Sequence, residues 1–267
     1  MSLYLFPMHE DPGSNFADLM RRVRPDVALP GQFPDAEIVH ATTIAALRYG
    51  DGVVMAGDRR ATEGVSIAHR GIEKVFPADR FSAVAIAGAA GPAIEMVQLF
   101  QTQLEHYEKV EGAHLSLEGK ANQLSQMIRQ NLPMAMQGLA VVPLFCGWDT
   151  HRNLGRIFTY DVTGGRYEET EYAATGSGGR DARTTIKIGY RAGLSRDEAV
   201  ELAVDALYQA ADEDAATGGP DPIRGIYPII ATVDSSGFSR VDDAEVARRF
   251  VAVLARREAR DRGSEAR

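Results

Sequence analysis

Three residues of this chain have the types and the spacing for nucleophilic hydrolysis. Thr42 stands in the run His40-Ala41-Thr42-Thr43-Ile44, Asp58 closes the apolar stretch Val53-Val54-Met55-Ala56-Gly57, and Lys74 opens a third strand-like segment. A threonine hydroxyl is a weak nucleophile and needs a base. If self-cleavage made Thr42 an N-terminus, its own α-amine, with an ordinary pKa of about 7.7–8.0, would serve near neutral pH. A lysine beside the hydroxyl would stabilise negative charge there and depress the amine's pKa, and an aspartate would hold that lysine in place. Threonine's branched Cβ restricts χ1 and keeps the hydroxyl aimed. Gly88 could offer a backbone N–H to an oxyanion, with no side chain to hold a substrate away. Singly, each residue is ordinary: threonine is a β-former, an aspartate at a strand end is a turn residue, and a lysine is a solvated charge. Jointly they point to a hydrolase whose nucleophile is an N-terminal threonine.

The elements that must position these residues begin abruptly. Residues 1–41 hold Pro7, Pro12, Pro25, Pro30 and Pro34 with Gly13 and Gly31, a density that breaks regular structure. One short helix is predicted at Asn15–Val23, with Phe16, Leu19 and Met20 on a shared face. The composition break at Thr42 makes 1–41 a removable pro-segment and 42–267 the folded domain, with a charged tail expected to fray from about Arg256. Strands are predicted at Thr43–Arg48, Val53–Asp58, Lys74–Phe76 and Ser82–Ala87. A helix follows through Val97, Phe100, Leu104 and Tyr107, and a second through Leu117, Leu124 and Ile128, kinked at Pro133. Further strands are predicted at Ala140–Trp148, Arg156–Asp161 and Arg166–Ala174. Two more helices come next, one opening at Gly176-Ser177-Gly178-Gly179 and one capped by Ser195 in a capping box with Glu198. A hairpin, Ile226–Asp234 with Phe238–Val241, and a helix through Val246, Phe250 and Val253 complete the pattern. Grouped strands and grouped helices imply an antiparallel sandwich flanked by helices, not a parallel βαβ sheet.

Composition excludes several function classes. The apolar fraction of 45% suffices for a sizeable core, and a net charge of −8 argues against general nucleic-acid binding. The only cysteine, Cys146, excludes a disulfide framework and makes a reducing cytoplasm the simple reading. It sits in the apolar run Val142-Pro143-Leu144-Phe145, so it reads as a buried bystander. No apolar stretch is long enough to span a membrane, the first residues lack a signal-peptide pattern, and no metal-ligand cluster stands out.

The chain resembles the 20S proteasome β-subunits of the actinobacterial type, within the N-terminal-nucleophile hydrolases. The resemblance is carried by His40-Ala41-Thr42-Thr43-Ile44, Val54-Met55-Ala56-Gly57-Asp58-Arg59-Arg60-Ala61-Thr62, Leu104-Glu105-His106-Tyr107-Glu108-Lys109, Ala135-Met136-Gln137-Gly138-Leu139, Gly176-Ser177-Gly178 and Ala215-Ala216-Thr217-Gly218-Gly219-Pro220-Asp221. It covers nearly everything from Thr42 to about Leu254, and the pro-segment joins it through Asp11-Pro12-Gly13-Ser14-Asn15-Phe16. It implies an α+β fold, a four-layer αββα sandwich of two antiparallel sheets. It also implies a threonine endopeptidase in which Thr42 is the nucleophile, Asp58 and Lys74 support it, and Gly88 lines the oxyanion hole. Ser177 and Asp214 match the pair near the threonine amine, and Thr217 stands where many relatives have serine. The primary substrate pocket maps to Ala61, Ile72, Ile86, Ala90 and Ile94, which favours apolar side chains, with Glu63 on its wall. The implied partners are α-type subunits, other β-subunits in stacked heptameric rings, a regulatory ATPase ring and tagged protein substrates. No metal or organic cofactor is implied.

One departure concerns the cleavage site between Ala41 and Thr42. The family usually has glycine before the threonine, and alanine restricts the backbone there. Two other readings stay open: a subunit of the simpler two-ring, ATPase-paired bacterial threonine protease, and a non-catalytic ring subunit that keeps its pro-segment.

Overall fold

Alternation along strand β1 (Thr43–Tyr49) sets the layering of the molecule. Ile44 and Ala46 face one side, Ala45 and Leu47 the other, and all four are fully buried, so β1 has a packed layer on each face. The computed structural model describes residues 42–64 and 66–265; the expected pro-segment and its Asn15–Val23 helix lie outside them.

Among the described residues, one antiparallel sheet has β1 between β10 (Tyr172–Gly176) and β2 (Gly52–Gly57). It continues through β11 (Ile229–Asp234) to β12 (Gly237–Arg240). A second antiparallel sheet runs in chain order, β5 (Val75–Asp79), β6 (Ser82–Gly88), β7 (Val141–Asp149), β8 (Leu154–Tyr160) and β9 (Arg166–Glu169). Ile44, Met55, Leu144, Cys146 and Ile157 pack between the two sheets. Helices α1 (Ala90–Glu111) and α2 (Leu117–Gln130) cover the outer face of the second sheet through Phe100 and Leu124, which meet Phe145 and Phe158. The short α3 (Leu132–Ala135) follows them. Helices α4 (Gly179–Gly189), α5 (Arg196–Glu213) and α6 (Asp243–Glu265) cover the first sheet through Ile186, Leu207 and Phe250. The result is the four-layer αββα sandwich that the sequence implied. The capping box of Ser195 and Glu198 is present at the start of α5.

Several local expectations are corrected. The single strand Arg166–Ala174 is two strands in different sheets: β9 ends at Glu169 beside β8, and β10 starts at Tyr172 beside β1. The chain crosses between sheets at Thr170-Glu171, because edge positions are open on both. The second helix is broken at Asn131, and Pro133 sits in the first turn of α3, where a missing N–H is tolerated. A hairpin not predicted, β3 (Ala61–Glu63) with β4 (Ser66–His69), lies outside both sheets. The tail expected to fray from about Arg256 is instead helical to Glu265, and Arg256 and Arg257 both pair with Asp205 of α5.

Arg156 clamps one end of the second sheet. It is buried, binds Glu168 of β9 with two nitrogens at 2.7 and 2.6 Å, and also reaches Glu118 of α2 at 2.8 Å and Asp149 at 3.0 Å. Hydrogen bonds from Arg166 and Arg156 hold the Glu118 carboxyl below its usual range, and Arg156 does the same for Glu168. Burial acts to raise Asp149, but the N–H groups of Arg152 and His151 and the Arg156 guanidinium outweigh it. Carboxyls with depressed folded pKa values contribute stability above their unfolded values, and that contribution is lost as pH falls through the folded ones. Arg156→Ala is therefore expected to lose about 2–3 kcal/mol near neutral pH. This is less than the ~3–5 kcal/mol of a fully buried pair, because Glu118 and Glu168 are partly solvated. Urea unfolding at about pH 7 and about pH 4 checks it: the gap between variant and parent should narrow at the lower pH.

Candidate active site

Thr42 lies just before β1, Asp58 just after β2 and Lys74 just before β5, so two strands of one sheet and one of the other end together. The Asp58 N–H donates to the Thr43 carbonyl at 3.1 Å, which pins the end of β2 to the start of β1. Glycines permit the close approaches. Gly176, at the end of β10, has φ +97°, and a Cβ there would lie 1.8 Å from the Thr42 carbonyl oxygen. No other residue type fits that position.

Asp58 is fully buried and uses both carboxylate oxygens. One accepts from Lys74 Nζ at 2.6 Å and from the Thr43 N–H at 2.9 Å. The other accepts from the N–H groups of Arg60 and Gly218, each at 2.8 Å. Lys74 is also buried, and its ammonium donates to the Arg60 carbonyl at 2.5 Å. Burial pulls the Lys74 ammonium below the ordinary lysine range, and the charge and hydrogen bond of Asp58 oppose this only in part. A lysine so desolvated is a strong, fixed source of positive potential.

A second group of residues meets Thr42 through its backbone. The Thr42 N–H donates to Ser177 Oγ at 3.3 Å, and the Ser177 N–H donates to the Thr42 carbonyl at 2.8 Å. Ser177 Oγ donates to Asp214 Oδ2 at 2.5 Å, and Thr217 Oγ1 donates to the same oxygen at 2.6 Å. Asp214 follows the last turn of α5, and its other oxygen accepts from the Ala216 N–H at 3.1 Å, shaping the loop that carries Thr217.

Six of the sequence-predicted site residues therefore join one hydrogen-bonded network: Thr42, Asp58, Lys74, Ser177, Asp214 and Thr217. Gly88 ends β6 with φ +113°, and a Cβ there would lie 2.1 Å from the Ala140 carbonyl oxygen. Lys74 is tied to the same strand by the Ile86 N–H, which donates to the Lys74 carbonyl at 3.0 Å. The proposed pocket residues are spread more widely. Ile86 is buried in the core beneath α1 and α2, and Ile94 packs against that core. Ala61 and Ile72 are half-buried, whereas Glu63 and Ala90 are exposed. Sequence reasoning missed Thr43, whose amide and hydroxyl both enter the network, and the backbone groups of Arg60 and Gly218. A polar residue in the otherwise apolar row Thr43, Ala45, Leu47 was the available signal for Thr43.

Cys146 takes no part. It is fully buried between the sheets, and burial pushes its thiol well above the usual range. Among the described residues, no helix is long and apolar enough to cross a membrane.

Comparison with known proteins places this geometry in context. A family model described as proteasome subunit matches residues 38–223. A protein named proteasome subunit beta from Acidimicrobium ferrooxidans is 62% identical over 266 residues, covering 99% of this chain and 97% of its own length. One of the same name from Streptomyces griseus is 56% identical over 252 residues, 92% of this chain and 90% of that one. Another, from Jonesia denitrificans, is 53% identical over 242 residues, 88% of this chain and 80% of that one.

Proposed function

The chain belongs to the proteasome subunit family, and from that premise we propose that it is a proteolytic β-type subunit, a threonine endopeptidase with Thr42 as nucleophile. What supports this most is the pair of carboxylate clusters that converge on Thr42 and Thr43, the buried Asp58 with Lys74 and the partly buried Asp214 with Ser177 and Thr217. Residues 1–41 are the pro-segment, and the mature domain begins at Thr42.

The same hydroxyl performs two reactions. In the precursor, Thr42 Oγ1 attacks the Ala41 carbonyl, the acyl group passes from nitrogen to oxygen, and water hydrolyses the resulting ester. The nitrogen now held by Ser177 at 3.3 Å becomes the free α-amine. In the mature enzyme that amine takes the hydroxyl proton as Thr42 attacks a substrate carbonyl. It returns the proton to the leaving amine, and water then releases the acyl-enzyme. Lys74 stabilises negative charge as it develops on the threonine oxygen, and the Gly88 N–H serves the oxyanion. Small and aliphatic side chains at Ala61, Ile72, Ile86, Ala90 and Ile94 favour apolar residues before the scissile bond, with Glu63 on the rim. We further assign the chain to heptameric β-rings that stack on α-type rings in the cytoplasm, are fed by an ATPase ring and degrade tagged proteins.

Intact mass and N-terminal sequencing of particles assembled with the organism's own α-type subunit test this reading. The expected product begins at Thr42. Particles that keep residues 1–41 throughout would instead fit a non-catalytic ring subunit. Ala41→Gly is expected to speed the mass loss, because glycine enters a tight turn at lower steric cost, and to leave mature turnover unchanged. Equal time courses for the two chains would remove Ala41 as a brake on processing.

A further inference from the structure

The geometry points to Thr43 as a positioning residue for the nucleophile: its hydroxyl and its amide join the two carboxylate clusters into one rigid frame around Thr42. This rests on Thr42 being the nucleophile. Thr43 is fully buried, and its two polar groups point to opposite halves of the site. Its N–H donates at 2.9 Å to the Asp58 oxygen that also receives Lys74. Its Oγ1 lies 2.6 Å from Thr217 Oγ1 and accepts from the Gly178 N–H at 3.0 Å.

Proton bookkeeping fixes the direction of this chain. The single Thr217 hydroxyl proton goes to Asp214 at 2.6 Å. Thr217 Oγ1 can then only accept from Thr43 Oγ1, whose one proton is committed there. The run is Gly178 N–H to Thr43, Thr43 to Thr217, and Thr217 to Asp214, and Asp214 also receives Ser177, the partner of the Thr42 nitrogen. The buried Thr43 and Thr217 hydroxyls each have one orientation, and buried hydrogen bonds in series polarise and stiffen one another. Gly178 leaves the room: a Cβ there would stand 2.6 Å from Thr43 Oγ1 and 2.8 Å from Thr217 Oγ1.

The consequence is kinetic. Thr43→Val keeps the branched shape and the amide bond to Asp58 but deletes the hydroxyl. That frees Thr217 to rotate, loosens the Asp214 seat of Ser177 and leaves the Gly178 N–H without its acceptor. A small misplacement of reacting groups lowers the chemical step by roughly 10–100-fold. Binding of peptide is expected to change little, because Thr43 is fully buried.

The test uses full-length chains co-assembled with the organism's α-type subunit and assayed with a fluorogenic peptide. Thr43→Val is expected to lower kcat by roughly 10–100-fold with KM within about twofold, and Thr43→Ser to recover most of it. The double variant Thr43→Val with Thr217→Val should be little worse than Thr43→Val alone, because one chain is broken twice. Processed Thr43→Val particles with parental kcat overturn the inference. So does a Thr43→Ser variant as slow as Thr43→Val, which would assign the effect to packing at that position and not to the hydroxyl. Assembled but unprocessed Thr43→Val particles that Thr43→Ser repairs support it, since the same hydroxyl acts in both reactions. Should Thr43→Val fail to assemble, Thr217→Val in the parental chain takes its place, and parental kcat there overturns the inference. A Thr42→Ala control separates the two levels: activity remaining in it removes the nucleophile assignment itself, whereas normal Thr43→Val beside an inactive control removes only the role of Thr43.

Discussion

Thr42→Ala is expected to abolish peptide hydrolysis and to leave residues 1–41 attached in every assembled particle. On the proposed mechanism both losses follow from one atom, because the same hydroxyl would attack the substrate and the Ala41 carbonyl. The fold should survive. Thr42 precedes β1, and its backbone N–H and carbonyl are tied to Ser177 by hydrogen bonds that alanine retains. Cys146→Ala is the matching control. That thiol is sealed between the sheets and held protonated by burial, so its loss should leave peptidase activity near the parental level. Peptidase assays and N-terminal sequencing of the purified particles decide the matter. Substantial turnover from Thr42→Ala would refute the nucleophile, and an inactive, well-assembled Cys146→Ala would shift suspicion to cysteine.

Lys74→Ala carries the second large effect. The ammonium is fixed by Asp58 and by the Arg60 carbonyl, so on the proposed mechanism it would stabilise developing charge without reorganising. Loss of one preorganised contact of this kind is worth about 10²–10³ in rate. Stability should change far less, because Asp58 keeps the three N–H groups of Thr43, Arg60 and Gly218 as donors. Asp58→Asn should act in the same direction more weakly, since it leaves Lys74 buried without its counter-charge. The measurement is kcat on particles whose N-terminus has been verified, because Lys74→Ala should also slow self-cleavage. Parental kcat in processed Lys74→Ala particles would reduce Lys74 to a structural cation.

Much of the scaffold was legible because it is written in local pattern. The buried strands β1, β2 and β6 read as apolar runs, and the Ser195–Glu198 cap is a local hydrogen-bonding device. The crossing at Thr170-Glu171 was not legible. Alternation runs on through both strands, and which sheet each one joins depends on partners far away in the chain. The β3–β4 hairpin was missed because three and four residues of mixed polarity carry little periodicity. At the candidate site, Thr42, Asp58 and Lys74 were singled out through side-chain chemistry and family likeness. The Arg60 carbonyl and the Gly218 N–H were not, because every residue has such groups and only the fold selects two of them.

The pairing of β1 with β10 also sets a clock during synthesis. Thr42 and the serine that holds its nitrogen are 135 positions apart in the chain. At about 5–20 residues per second, the ribosome takes roughly 7–27 s to make the intervening stretch, and longer to deliver Asp214 and Thr217. On the reading of Thr42 as nucleophile, a nascent or truncated chain lacking β10 has the nucleophile but not its frame. Translation itself therefore imposes a delay before this chain can acquire the power to cut, itself included.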